Sequence, residues 1–216
     1  MKKLKEVIEI LKREYGVHSI DERSNPLDVL VGTILSQNTS DRNSQAAFFS
    51  LKRKFPKWEL VLDADLGKIQ KAIRPGGLSK IKARRIKKAL SEIRRRRGKL
   101  SLDFLSKMSA DDAFEFLRSI DGIGPKTASV LLLFCFNKPT MPLDTHNMRI
   151  AKRLGLIPEE ASSEKAHKIM NELIPSDEKK TLHINFILHG RKICRARNPE
   201  CNLCVLNKLC DYYKSG

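Results

Sequence analysis

The chain has 216 residues and a mass of 24.6 kDa, long enough to bury a core without disulfide staples, and its 41% hydrophobic content excludes a disordered polymer. Lys and Arg number 42 against 25 Asp and Glu, so the net charge is +17, which points to a polyanionic partner and above all to nucleic acid. Aromatic residues make up only 6%, too few for a platform that stacks single-stranded bases, and duplex DNA held by its backbone fits better.

The first segment carries Leu4, Val7, Ile8 and Leu11 at helical spacing. Glu6, Glu9 and Lys12 break any signal-peptide core, and no apolar run reaches the roughly 18 residues of a membrane span. A cytoplasmic, nucleoid-associated chain that is neither secreted nor membrane-bound is expected. A second helical pattern runs through Leu27, Leu30, Val31, Ile34 and Leu35, with Asp28 near its start. Further on, Ile81, Ile86, Leu90 and Ile93 share one face of a helix. Its stretch from Ser79 to Arg97 holds ten Lys or Arg and one Glu, read as a solvated face in preference to a DNA-facing edge. Ser109-Ala110-Asp111-Asp112 starts the pattern Phe114, Leu117, Ile120, and Val130 to Phe136 is apolar throughout. Pro142, Gly155 and Pro175 punctuate the C-terminal third of the chain. Sustained period-two alternation is absent, which predicts about a dozen short helices and an all-α fold.

Between two of these patterns lies Ile120-Asp121-Gly122-Ile123-Gly124-Pro125-Lys126-Thr127-Ala128. The two glycines permit positive φ and close approach, Pro125 suits the first helical position, and the N–H groups at the helix start favour a phosphate. The segment reads as a helix-hairpin-helix that grips a DNA backbone. Lys126 is either one more phosphate contact or a nucleophile: near a helix N-terminus amid many cations, an amine's charged form is disfavoured and its lone pair becomes available. Asp121 places a negative charge beside this turn, which either weakens the phosphate contact or holds Lys126 in place.

A nucleophilic lysine also needs a carboxylate, and Asp144 in Pro142-Leu143-Asp144-Thr145-His146 follows 18 residues later. Asp144 reads first as the N-cap of the next helix. As an ionised group near a sugar it would also stabilise oxocarbenium charge or accept a proton. His146 reads as structural.

Four of the five cysteines fall within 17 residues as Cys194-x6-Cys201-x2-Cys204-x5-Cys210, in a basic stretch short of periodic apolar residues. In a reducing compartment such a cluster reads as metal ligands before disulfides. One Cys-x2-Cys knuckle between two lone cysteines favours iron–sulfur, with zinc still open. Closing this loop would present Arg195 and Arg197, beside Arg191, to phosphates. Cys135 reads as a small buried hydrophobe.

The hairpin Gly122 to Ala128, the Leu143-Asp144-Thr145-His146 segment and the cysteine tail, in this order, resemble the endonuclease III family of base-excision DNA glycosylases, over roughly residues 27–210. The resemblance implies a two-domain all-α molecule with a DNA-binding cleft between its domains, a six-helix barrel domain at 20–136 and an iron–sulfur domain at 1–19 plus 137–216. It further implies a [4Fe-4S] cluster on Cys194, Cys201, Cys204 and Cys210, Lys126 as nucleophile and Asp144 as its partner. Gly122, Ile123, Gly124, Lys126 and Thr127 would hold the backbone. Gln37, in Leu35-Ser36-Gln37-Asn38, matches the residue that fills the space of a flipped base, and Leu78, in Gly76-Gly77-Leu78, matches a wedge. The expected partner is double-stranded DNA with a damaged base or abasic site, bound by a monomer. The expected activity is removal of oxidised pyrimidines followed by strand cleavage. Departures from the family are Ile120-Asp121, where Leu-Pro is usual, and the absence of aromatic and amide residues after Leu78, which leaves lesion preference open. A uracil or thymine mismatch glycosylase is a second reading, opposed by Lys126, and a non-enzymatic DNA-binding iron–sulfur module is a third.

Overall fold

A computed structural model describes residues 2–19 and 24–215, and among these no strand occurs. In chain order the helices are α1 (Lys2–Tyr15), α2 (Pro26–Ser36), α3 (Asp41–Lys54), α4 (Trp58–Asp63), α5 (Leu66–Ala72), α6 (Ser79–Arg97), α7 (Ala110–Arg118), α8 (Pro125–Phe136), α9 (Thr145–Arg153), α10 (Ser163–Leu173), α11 (Lys179–Lys192) and α12 (Asp211–Lys214). Short 3₁₀ turns lie at Arg74–Gly76, Asp103–Lys107, Cys201–Leu203 and Asn207–Leu209. No helix among the described residues is long and apolar enough to cross a membrane.

Contacts divide the chain into two compact units, Glu22–Phe136 and Met1–Asp21 with Asn137–Gly216. In the first, α8 is the central helix and packs on α2 and α7. Its apolar residues leave no polar face, and Ala128, Leu131, Leu132 and Cys135 are buried together with Leu30, Ile34, Ile86 and Leu90. Burial pushes the Cys135 thiol up to about 12, so it is protonated and inert. Helix α2 begins at Pro26, with Asn25 capping the main-chain N–H groups of Leu27 and Asp28. The start signal at Asp28 is thus displaced: that carboxylate instead accepts from Trp58 Nε1 at 2.8 Å and from Lys52 at 3.2 Å, joining α2 to α3 and α4.

In the second unit α11 packs on both α1 and α9. The apolar stripe of α1 (Leu4, Val7, Ile8, Leu11) meets Phe186, Leu182 and Ile150, and Cys210 belongs to the same core. Gly190 lies where α11 passes α9: a Cβ there would stand 2.7 Å from His146 Nδ1, so this close approach requires a residue without a side chain.

Candidate nucleic-acid interface and active site

The hairpin is built by a buried apolar pair and one glycine at positive φ. Ile120 and Ile123 turn into the core, and the Ile123 N–H closes on the Ile120 carbonyl at 3.1 Å. That tight reversal puts Gly122 at φ +89°, where any side chain costs about 1–2 kcal/mol. Arg118 donates to the Ile123 carbonyl at 3.3 Å and locks the turn from α7. Of the two glycines that permit positive φ and close approach, Gly122 uses the first. Gly124 has ordinary φ and nothing within 4 Å of where a Cβ would stand, so its contribution is open access.

Helix α8 starts at Pro125, as its fixed φ favours. The N–H groups of Lys126 and Thr127 precede the first helical bond, from Ala128 to the Gly124 carbonyl at 3.0 Å, and are therefore available to an anion. The Thr127 side chain is buried, as is that of Ile123, so neither residue offers DNA more than its main chain. Lys126 is half-buried, and no described carboxylate of its own unit pairs with its amine. Asp121, expected either to weaken the phosphate contact or to steady Lys126, instead pairs with Lys88 of α6. The hydrogen bond from Lys88, then its charge, holds the Asp121 carboxyl below its ordinary value.

Two more segments of this unit carry predicted DNA contacts. Gln37 ends α2, and its Oε1 accepts from Arg85 Nη1 at 2.8 Å. Leu78 is half exposed and left-handed, at φ +47° and ψ +34°, directly after Gly77 at φ +67°. A non-glycine residue in that region is strained and persists only where its surroundings hold it. Lys82, read from the sequence as part of a solvated face, is only 1% exposed. Its place in the helical register, one turn into α6, turns it inward between these two segments.

In the other unit Asp144 caps α9, as its position in the sequence suggested. Its Oδ1 accepts from the Asn147 main-chain N–H at 2.8 Å and from Asn147 Nδ2 at 2.9 Å, while Oδ2 takes no hydrogen bond among the described residues. Burial would raise the Asp144 carboxyl, but the two Asn147 donors, with His183 and His146 nearby, outweigh it and hold the group below its ordinary value. A carboxylate ionised at neutral pH with one free oxygen can accept a proton or face a cationic sugar. Asn147, which nothing in the sequence singled out, is fully buried; its Nδ2 donates to this carboxylate and, at 3.5 Å, to the His183 carbonyl, while its own Oδ1 has no partner.

The four clustered cysteines line one small pocket together with Arg153, and none forms a disulfide. Three groups from outside the cluster approach two of the sulfurs. Arg153 Nη1 reaches Cys194 Sγ at 3.2 Å, the Leu206 N–H reaches Cys204 Sγ at 3.4 Å, and His189 Nε2 lies 3.4 Å from the same sulfur. Burial keeps His189 neutral, down to about 4, with Tyr15 Oη 3.0 Å from its Nδ1. Burial, with the neighbouring sulfurs, pushes the Cys204 thiol up to about 11. Arg153 also donates to the carbonyls of Arg195 at 2.8 Å and Ala196 at 3.3 Å, and Arg149 to that of Cys194 at 2.9 Å, so two unanticipated arginines of α9 shape the loop. Of the predicted phosphate contacts, Arg191, Arg195 and Arg197 are all exposed, and Arg195 pairs with Glu200.

Residues 31–176 match the HhH-GPD superfamily base excision DNA repair proteins, and the chain belongs to that family. It is 33% identical over 214 residues to endonuclease III of Sulfolobus acidocaldarius, covering 98% of this chain and 93% of that protein. A candidate DNA glycosylase of Arabidopsis thaliana is 43% identical over 80% of the chain, which spans 59% of that plant protein's length. Among solved structures, an endonuclease III–DNA complex matches with a TM-score of 0.84 at 26% identity, over 99% of this chain and 96% of that one. Within the superfamily the chain is an endonuclease III-like DNA glycosylase, an enzyme with abasic-site lyase activity.

Proposed function

We propose that the chain removes oxidised pyrimidines of the thymine glycol type from duplex DNA and then cleaves the abasic site, with Lys126 as nucleophile and Asp144 as its partner. The observation that carries this reading is the Lys126 amine at the open start of α8, on a hairpin whose nearest carboxylate in sequence is spent on Lys88. The Lys126 nitrogen, as free amine, attacks C1′ of the extruded nucleotide, and the glycosidic bond breaks with its electron pair leaving on the base. Asp144 stabilises the oxocarbenium charge that develops and takes the proton the nitrogen loses. The C1′–O4′ bond then breaks, O4′ taking a proton as the sugar ring opens, and the protonated Schiff base so formed acidifies C2′–H, whose removal expels the 3′ phosphate by β-elimination. The endonuclease III relatives, of which the chain covers nearly the whole length, support this assignment.

In this reading residues 20–136 form the barrel domain and 1–19 plus 137–216 the cluster domain. Gln37 fills the vacated stack and Leu78 wedges the duplex. The hairpin from Gly122 to Thr127, and Arg191, Arg195 and Arg197, meet phosphates. The protein acts as a monomer on nucleoid DNA in the cytoplasm. The test is a panel of duplexes, each with one lesion. Incision at thymine glycol, at least about tenfold faster than at uracil or thymine opposite guanine, supports the reading. The reverse order would replace it with a mismatch glycosylase.

We further assign a [4Fe-4S] cluster to Cys194, Cys201, Cys204 and Cys210. All four line one pocket, and their spacing, one Cys-x2-Cys knuckle between two lone cysteines where a zinc ribbon brings two such knuckles, supports iron–sulfur over zinc. When bound, the cluster supplies a covalent cross-link that fixes the loop bearing Arg195 and Arg197. The purified protein is expected to be brown, with broad absorption near about 400 nm that Cys204→Ala abolishes. A colourless protein with stoichiometric zinc would overturn the assignment.

A further inference from the structure

Lys82 holds the carbonyls of two separate segments on one amine. Its Nζ donates to the Leu35 carbonyl at 2.7 Å and to the Gly76 carbonyl at 2.8 Å. Leu35 lies two residues before Gln37, and Gly76 two residues before Leu78. The main-chain N–H of Lys82 also donates to the Leu78 carbonyl at 3.0 Å, so the residue grips the left-handed loop from two sides. One turn further along α6, Arg85 holds the Gln37 amide, and its stem packs 3.6 Å from where a Cβ on Gly122 would stand.

A buried ammonium is costly, and no described carboxylate accompanies this one. Desolvation accordingly holds the Lys82 amine below its ordinary value. A leucine or methionine at the same place would serve the packing of α6 as well. What an apolar residue cannot do is tie Leu35 to Gly76. A left-handed leucine persists only where its surroundings over-determine it, and Lys82 supplies much of that determination.

We propose that Lys82 is a positioning residue for base extrusion: it fixes the spacing of the Gln37 and Leu78 loops so that filler and wedge enter the duplex together, while Arg85 orients the Gln37 amide for that entry. The inference rests on the roles proposed above for Gln37 and Leu78. It predicts that the binding energy of the duplex is spent on opening the stack, not on shaping the two loops. Loss of the clamp therefore harms excision of a stacked, paired base far more than cleavage at a site where the base is already gone.

The test uses the full chain with Lys82→Met, close in length but without donors, and Arg85→Ala, which is exposed and leaves the core intact. Two reactions are timed, release of thymine glycol from paired duplex and strand cleavage at a preformed abasic site. A third readout is 2-aminopurine fluorescence opposite a tetrahydrofuran abasic analogue, which rises when protein side chains open the stack. For Lys82→Met, excision is expected to fall by roughly a hundredfold, as for an ångström-scale misplacement, with abasic-site cleavage reduced less than about fivefold and the fluorescence rise largely lost. Arg85→Ala is expected to show the same split at roughly tenfold. Equal losses in both reactions that track a fall in Tm, or unchanged excision in both variants, would overturn the clamp. A wild-type protein that cleaves abasic DNA but gives no fluorescence rise would overturn the roles of Gln37 and Leu78 themselves.

Discussion

Lys126→Gln is expected to abolish strand cleavage at abasic DNA, by roughly a thousandfold or more, while binding to the same duplex weakens only modestly. The expectation follows from separating the two tasks of the hairpin. Backbone binding draws on main-chain N–H groups at the start of α8 and on the open face at Gly124, and glutamine preserves both. One positive charge is lost from a chain of net charge +17, a small part of its electrostatic attraction for DNA. The Schiff base, by contrast, requires a primary amine, and an amide nitrogen has no available lone pair. Stability is expected to change little, since Lys126 is half-buried and pairs with no described carboxylate of its unit. Cleavage at the normal rate by Lys126→Gln would transfer the nucleophile to another amine.

Asp144→Asn is expected to lower base excision by roughly a hundredfold or more while the fold is nearly undisturbed. Asparagine caps helices about as well as aspartate, so the bond to the Asn147 N–H survives, whereas the negative charge and its proton-accepting capacity do not. Asp144→Ala removes both and is expected to cost about a further 1 kcal/mol in stability, read as a lower Tm than Asp144→Asn. The pH dependence has a definite sign. The folded carboxyl is held below its ordinary value, so its ionised form stabilises the unit above the unfolded carboxylate range, and that contribution is lost as the pH falls through the folded value. Acid-induced loss of stability should therefore be smaller in Asp144→Asn than in the parent. Equal excision rates for parent and Asp144→Asn would remove Asp144 from the chemistry and leave it a cap.

Much of this was legible in the sequence because it is written in local spacing. The stripe Leu4, Val7, Ile8, Leu11 is buried as its periodicity requires, the run Val130 to Phe136 belongs to a central helix, and Pro125 and Asp144 start α8 and α9 where their backbone chemistry places them. The features that escaped depend on partners far along the chain. Lys82 sits in a run of basic residues and looks like one more solvated charge; its acceptors are carbonyls, which carry no residue-specific signal, and one of them is 47 residues away. Asp121 could not be assigned to Lys88 rather than Lys126 from sequence distance, since the nearer lysine along the chain is not the one it meets. Arg149 and Arg153 lie on a polar helix face, and only the folded loop shows that they hold the carbonyls around Cys194. Ile123 and Thr127 matched a motif, but the register of the turn sends their side chains inward.

The most direct measurement is borohydride trapping on a duplex with a single thymine glycol, followed by peptide mapping of the adduct. The account predicts one covalent protein–DNA species per chain, carried by the peptide that contains Lys126 and absent from Lys126→Gln. Strand cleavage without a trappable adduct, or an adduct mapped to a different amine, would contradict it.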